Sequence, residues 1–370
     1  MNITFFGTYD TRTTPRIQVM IDGLRSSGID VQECNVPLKL STAERVKILR
    51  QPWRLPVLGG KIMLCWLRLT KRSRQVSSTD AVIVGHLGQF DIHLARWLFP
   101  RKLLALDYMI SGSDTAKDRH LSGGLKDKLL VWLDNRALAA ANLVILDTEE
   151  HKAALPDTYR DKSVVVHVGA PQQWFDAAKY PRDTHRPVRI IFFGAYTPLQ
   201  GAPVIGQAIG RLNTPVAITM VGTGQDEAAT KRAVSKNKGG ANVTWIDWIE
   251  SAKLPEVVAE HDICLGVFGT GPKAFRVVPN KVYQGAAVGC AIITSDTPPQ
   301  RRVLQSGTVL VPYGDAEVLA AAIEDLARHP KKLLKLRQAA YRLGHTSFTP
   351  HEITRPLAAR IKREVSAATK

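Results

Sequence analysis

The chain predicts two α/β domains in tandem, each a doubly wound, Rossmann-like parallel sheet, and three observations carry that prediction. Short apolar runs of strand length alternate with helical patterns from end to end, as in parallel sheets with crossover helices. At 370 residues the chain exceeds one ordinary sheet of this kind and suits two domains with separate cores. The rhythm breaks once, over residues 169–187, where Pro171, Pro181 and Pro187 stand among polar residues without an apolar period, the composition of a linker. The expected domains are 1–170 and 171–370, facing a cleft.

The expected strands of the first domain are Ile3–Phe6, Ala81–Val84, Leu103–Leu106, Leu143–Leu146 and Val164–Val168. Those of the second are Val188–Phe193, Val216–Val221, Val243–Ile246, Ile263–Val267, Ala291–Thr294 and Thr308–Val311. Both domains open alike, with Phe5-Phe6-Gly7-Thr8-Tyr9 and Phe192-Phe193-Gly194-Ala195-Tyr196. This is either an echo of duplicated architecture or the common chemistry of a strand that turns at glycine. A glycine there lets a ligand approach the backbone, so Gly7, Thr8 and Gly194 are candidate contacts. Thr349-Pro350-His351-Glu352 fits a capping box with proline at the first helical position. It opens a final helix over about 350–365, of the kind that often packs back on the first domain of a two-domain chain.

Composition narrows the partners. Fifty Lys and Arg against 33 Asp and Glu give a formal charge of +17, which calls for a polyanionic partner: nucleic acid, anionic lipid or a phosphorylated substrate. Cys34, Cys65, Cys264 and Cys290 are scattered, with neither zinc-site nor disulfide spacing, and are expected reduced in the cytosol. The N-terminus lacks signal-peptide regions. The most apolar stretch, Leu55–Leu69, is interrupted by Lys61 and Arg68, short of the roughly 18 to 20 residues of a spanning helix.

The densest chemistry lies between Gly266 and Thr294. A strand runs into a Gly-rich loop carrying Lys273 and Arg276, then a helix entered after Pro279 with Asn280, Lys281 and Gln284, a tight turn at Gly289 and another strand. A helix N-terminus with cations around it makes a diphosphate site and stabilises charge on a departing diphosphate as a metal does elsewhere. The plain alternative is a solvated basic loop. This segment resembles the donor-binding signature of the retaining family 4 glycosyltransferases, in which Pro-Ser/Asn-Lys leads into a helix carrying Glu and then Gly-x-Pro-Val-Ile. Phe193-Gly194 with Gly201, Val221-Gly222-Thr223-Gly224, Trp245-Ile246-Asp247-Trp248 and Leu254-Pro255 before Asp262 extend the similarity, which is dense only in the second domain.

The resemblance implies a GT-B fold and a nucleotide-sugar donor touching Gly194, Gly201, Gly222, Trp248 and the 273–284 cluster. Two departures stand out. The family's Glu-x7-Glu pair falls on Arg276 and Gln284, and the lysine that commonly precedes the second-domain loop glycine is Gln200. Lys273, Arg276 or Lys281 must then supply the phosphate cations, while Gln284 keeps a carbonyl oxygen for a ribose hydroxyl.

In the first domain Asp107, Asp114 and Arg119 follow the Leu103–Leu106 strand and are candidate catalytic, acceptor or sugar contacts, at the strand edge where such folds hold ligands. An Asp–Arg pair that only ties the loop explains Asp114 and Arg119 as well. The family often has a histidine near this strand end, and none falls there. His151 reads as a cleft residue or as part of a helix start capped by Thr148.

Residues 45–74 mix nine Lys and Arg with Trp53, Trp66 and leucines, the composition of an element lying on an anionic membrane, or of a core helix with a solvated basic face. The expectation is a metal-independent, retaining glycosyltransferase without cofactor, peripheral on the inner face of the cytoplasmic membrane. Its acceptor would be a cell-envelope glycan or lipid-linked. An inactive sugar-nucleotide binder and a nucleic-acid-binding protein are the alternatives; the second lacks any reader motif, and no nucleic-acid partner is expected.

Overall fold

A computed structural model describes residues 1–11, 14–38, 55–76, 78–85, 88–109, 125–236 and 240–368. The chain divides into two compact units, Met1–His167 with Ile353–Lys370, and Val168–Glu352.

The first unit holds a six-stranded parallel sheet in the order β2-β1-β3-β4-β5-β6. These strands are β1 Asn2–Gly7, β2 Asp30–Asn35, β3 Ala81–Val84, β4 Leu103–Asp107, β5 Leu143–Leu146 and β6 Ser163–Val165. β3, β4 and β5 are buried nearly throughout, so they read as unbroken apolar runs. β2 has no such run: it lies at the sheet edge and buries only Val31 and Cys34. One sheet face packs Ile3 and Phe5 on Ile17, Met20 and Leu24 of the helix Pro15–Ser26, and on Ile353, Leu357 and Ile361 of the helix Pro350–Ala368. The other face is covered by the helices Leu55–Ser73, Asp91–Leu98 and Leu125–Ala140, through Cys65 and Leu69, Ile92 and Ala95, and Ala137 and Leu138.

The second unit holds six parallel strands in the order β12-β11-β10-β7-β8-β9. They are β7 Val188–Phe193, β8 Val216–Val221, β9 Ala241–Ile246, β10 Ile263–Leu265, β11 Ala291–Ser295 and β12 Thr308–Val311. The direction of winding reverses between β7 and β10, and the crevice at the strand C-termini beside such a reversal is where open α/β sheets bind ligands.

The segment 169–187, read as a linker, packs into this unit instead. Trp174, on the short helix Gln172–Asp176, is buried and stacks on Phe193 with ring centroids 5.7 Å apart. A single large aromatic supplies the burial, which leaves no period to read. Asp262, at the foot of β10, is fully buried and accepts from Arg337 at 2.6 Å and from the backbone N–H of Arg189 at 2.9 Å, so this signature aspartate pins the sheet to the helix Pro330–Ser347.

Candidate functional site

The glycine turns of the second unit are built by close backbone approach. Gly194 follows β7 at φ +139°, and Gly222 follows β8 at φ +126°. A Cβ on Gly222 would fall 2.1 Å from the Gly194 carbonyl oxygen. Gly201, at φ +65°, starts the helix Ala202–Ile209 and lies so close to the chain after β10 that a Cβ would sit 2.4 Å from the Phe268 carbonyl carbon. The Phe268 N–H donates to Gln200 O at 3.0 Å. The loop 194–201 is thereby strapped to the loop that leaves β10, over the β7–β10 reversal.

The helix Asn280–Ala287 begins at this edge, entered from Pro279 in an extended conformation. Lys281 and Gln284 are buried. Lys281 is the unexpected one. Its Nζ donates to Gln200 Oε1 at 2.6 Å, lies 3.7 Å from the centroid of the Phe192 ring, and would stand 3.3 Å from a Cβ on Gly194. Gln200, where the family's loop lysine is missing, is therefore the residue that a lysine 81 positions away reaches. Burial pushes the Lys281 amine down to about 7, because a charge in a dry site loses its hydration. Lys273 precedes a single 3-10 turn, Ala274–Arg276, which Arg276 ends, and both are half-buried; Asn280 is likewise partly covered. Trp248 is 74% exposed and packs into no core.

The first unit's edge is built differently. Gly7 ends β1 at φ +135°, and the next residue is already engaged: the Thr8 N–H and hydroxyl both donate to Asp91 Oδ2 at 2.7 Å. Asp91 Oδ1 accepts from Trp66 Nε1 at 2.9 Å. Desolvation raises the Asp91 carboxyl above its ordinary value, against the pull of these donors. Asp107 is buried, with Arg16 Nε donating to its Oδ1 at 2.9 Å, while the same guanidinium donates to the carbonyl oxygens of Val166 and Leu146. Asp107 thus forms a structural ion pair that ties the ends of β4, β5 and β6 to the first helix. Asp114 and Arg119 lie outside the described residues. Thr148 accepts from the His151 N–H at 3.2 Å as the cap of the helix Glu149–Ala153, and the His151 ring turns back onto Asp147, Nδ1 to Oδ1 2.5 Å.

The structure therefore brings Gly194, Gly201, Gly222 and Lys281 together at one sheet edge of the second unit, with Gln284 one turn further along the Lys281 helix. Gly7, Thr8 and Asp107 belong to the other unit. Sequence reasoning missed Gln200 as the partner of Lys281, and it missed Asp91. Nothing in the spacing marks either; only the absence of a lysine at position 200 points toward that place.

Residues 187–329 match the family described as Glycosyl transferases group 1. The amylovoran biosynthesis glycosyltransferase AmsK of Erwinia amylovora is 24% identical over 258 residues, 68% of this chain and 62% of AmsK, so the chain spans less than two thirds of that relative's length. Among solved structures, sucrose-phosphate synthase of Thermosynechococcus elongatus superposes with a TM-score of 0.71 at 14% identity, over 99% of each chain. HepE of Anabaena, in complex with UDP and glucose, superposes with a TM-score of 0.64 at 13% identity, over 99% of this chain and 100% of that one. The sequence of the second unit is thus similar to the group 1 glycosyltransferases, and the two six-stranded parallel sheets have the GT-B architecture of those folds.

Proposed function

We propose that the chain transfers a sugar from a nucleotide-sugar donor, bound at the β7–β10 edge of the second unit, to a membrane-proximal or lipid-linked glycan, with retention and without a catalytic metal. The observation that carries this reading is the Lys281 amine lying against the Gly194 turn, at the N-terminal end of a helix and beside a topological reversal. Such a place attracts a diphosphate through backbone N–H groups and positive charge together. The bond from the anomeric carbon to the diphosphate oxygen breaks, the diphosphate leaves with the electron pair into this positive field, and the bond to the acceptor oxygen forms. The acceptor proton passes to a leaving-group oxygen. Because HepE is described in complex with UDP-glucose, a uridine diphosphate sugar is the donor to try first. Retention rests on the family resemblance.

The first unit is assigned the acceptor and the membrane. Its helix Leu55–Ser73 contains no Asp or Glu and exposes Val57, Met63, Leu64 and Leu67 beside Lys61, Arg68 and Lys71. Trp97 and Trp132 are exposed on the two helices that share its sheet face. Exposed apolar side chains among uncompensated cations match an anionic bilayer surface. Among the described residues no helix is long and apolar enough to cross a membrane. A cytoplasmic enzyme held on the inner face of the membrane follows from this reading.

A thermal-shift panel of nucleotide sugars, followed by turnover in excess EDTA, tests the proposal. The donor is expected to raise the melting temperature, and turnover is expected to survive chelation. Turnover abolished by EDTA and restored by magnesium would overturn metal independence. The replacement of the Glu-x7-Glu pair by Arg276 and Gln284 favours a second reading, a sugar-nucleotide binder that does not turn over. Stabilisation without transfer to any acceptor glycan would select it.

A further inference from the structure

We propose that the donor site takes up its nucleoside diphosphate together with a proton, and that Lys281 is the group that receives it. The inference rests on the donor site proposed above and adds a coupling that binding alone does not require.

The geometry makes the amine a poor resting place for a charge and a good one for a charge that arrives with an anion. Lys281 is 4% exposed. From the loop 194–201 it faces the neutral Gln200 carboxamide, from β7 the Phe192 ring, and from β10 the Cys264 thiol, whose Sγ–H donates to the Lys281 carbonyl at 3.5 Å. Burial pushes that thiol up to about 12, so it supplies no counter-charge near neutral pH. Among the described residues Lys281 makes no ion pair. A carboxamide oxygen accepts from a neutral amine as readily as from an ammonium, so its single hydrogen-bond partner tolerates both states. The ring face offsets part of the desolvation, but a buried lysine whose only partners are neutral titrates far below its ordinary range, here at about 7.

Yet the same Nζ stands against the Gly194 turn, where the backbone admits a ligand. A diphosphate in that position brings negative charge within contact distance, raises the affinity of the amine for a proton, and gives the remaining N–H donors acceptors. The linkage has a definite sign. Below the free-site value the amine is already charged and binding takes up little; above it, each binding event must draw a proton from solvent, so affinity declines as pH rises, until the bound-state value is reached.

The test is isothermal titration of UDP-glucose, with UDP, GDP and inorganic pyrophosphate alongside, in buffers of different ionisation enthalpy. The diphosphate of a sugar nucleotide does not titrate near neutrality, so any proton taken up belongs to the protein. Uptake approaching one proton per nucleotide is expected at about pH 8.5 and little at about pH 6, with affinity nearly level below about pH 7 and falling toward about tenfold per pH unit above it, about 30-fold in all. Lys281→Met should bind about 10- to 100-fold more weakly at about pH 6, with no pH dependence and no uptake. Gln200→Glu, a loop substitution that leaves the buried helix intact, gives the amine a permanent counter-charge and should abolish the uptake as well. Binding without uptake in the wild type overturns the inference while leaving the donor site standing. Uptake that persists in both variants assigns the proton to another group and overturns it too. If none of the four ligands binds at any pH, the donor-site reading fails and takes this one with it.

Discussion

Gly7 ends and Gly194 follows the first strand of its unit, each after the same Phe-Phe pair, at φ +135° and +139°, yet what lies against them has opposite sign. A Cβ on Gly7 would meet Asp91 Oδ2 at 2.9 Å, and one on Gly194 would meet Lys281 Nζ at 3.3 Å. At the first turn the Thr8 N–H and hydroxyl are spent on the carboxylate; at the second the amine is only lightly satisfied, by an amide oxygen. The backbone device is shared and a single side chain decides what it accepts. An anion reaching Gly7 and Thr8, expected above as donor contacts, would have to displace Asp91, whereas an anion reaching Gly194 meets a proton acceptor that becomes a cation.

Substitutions in both units would break or sharpen this contrast. The largest effect is expected from Gly222→Ala, whose Cβ would collide with the Gly194 carbonyl at a φ of +126°. Backbone on both sides leaves nothing to yield, and the loss should be about 3 kcal/mol or more. Gly7→Ala meets the end of a side chain and should lose about 1–2 kcal/mol. Thermal melts of the two variants check the ordering, and equal losses would mean that the two turns are not held differently.

Asp91→Asn should come next, at about 1–2 kcal/mol, because one amide oxygen cannot replace two carboxylate oxygens facing Thr8 and the Trp66 indole. It also has a pH signature. Burial raises the Asp91 carboxyl, so between the ordinary carboxylate value and the raised one the folded state holds more protons than the unfolded, and stability declines as pH rises through that window. The variant should lose this decline while binding nucleotide as the wild type does. A drop in nucleotide affinity would move part of the donor site to the first unit.

The smallest effect is expected at the surface. Arg68→Gln should weaken co-sedimentation with phosphatidylglycerol vesicles about fivefold, from about 1 kcal/mol per cation near an anionic surface, and less at high salt. Lys331→Gln, an exposed cation of the second unit, should change nothing. Equal losses would make attachment a matter of net charge alone.

How much of this was legible in the sequence depended on whether the signal was local. β3 to β5 stand out because strands buried on both faces are nearly continuous apolar runs; β2 stays hidden because an edge strand that buries two residues carries no run. The segment proposed to hold the donor stands out in the sequence since Pro279, Asn280, Lys281 and Gly289 fall within a dozen positions. Asp107 reads as a ligand contact from its place at a strand end, but its partner Arg16 is 91 residues away, and only the fold shows the ion pair. The same distance problem concealed Gln200–Lys281 and Thr8–Asp91. Polar residues reveal their chemistry through partners, and partners separated by a whole sheet leave no spacing to read.

The helix Pro350–Ala368 gives the first unit Ile353, Leu357 and Ile361, after more than 180 residues that build the second. During synthesis the second unit has its entire sequence available while one face of the first still lacks a layer. The first unit must wait, with Ile3, Phe5 and Ile17 short of their cover, for a segment that emerges only after the whole second unit has been made. Order of assembly is therefore written into the connectivity: the second unit can mature first, and the first becomes complete only after the second has been made.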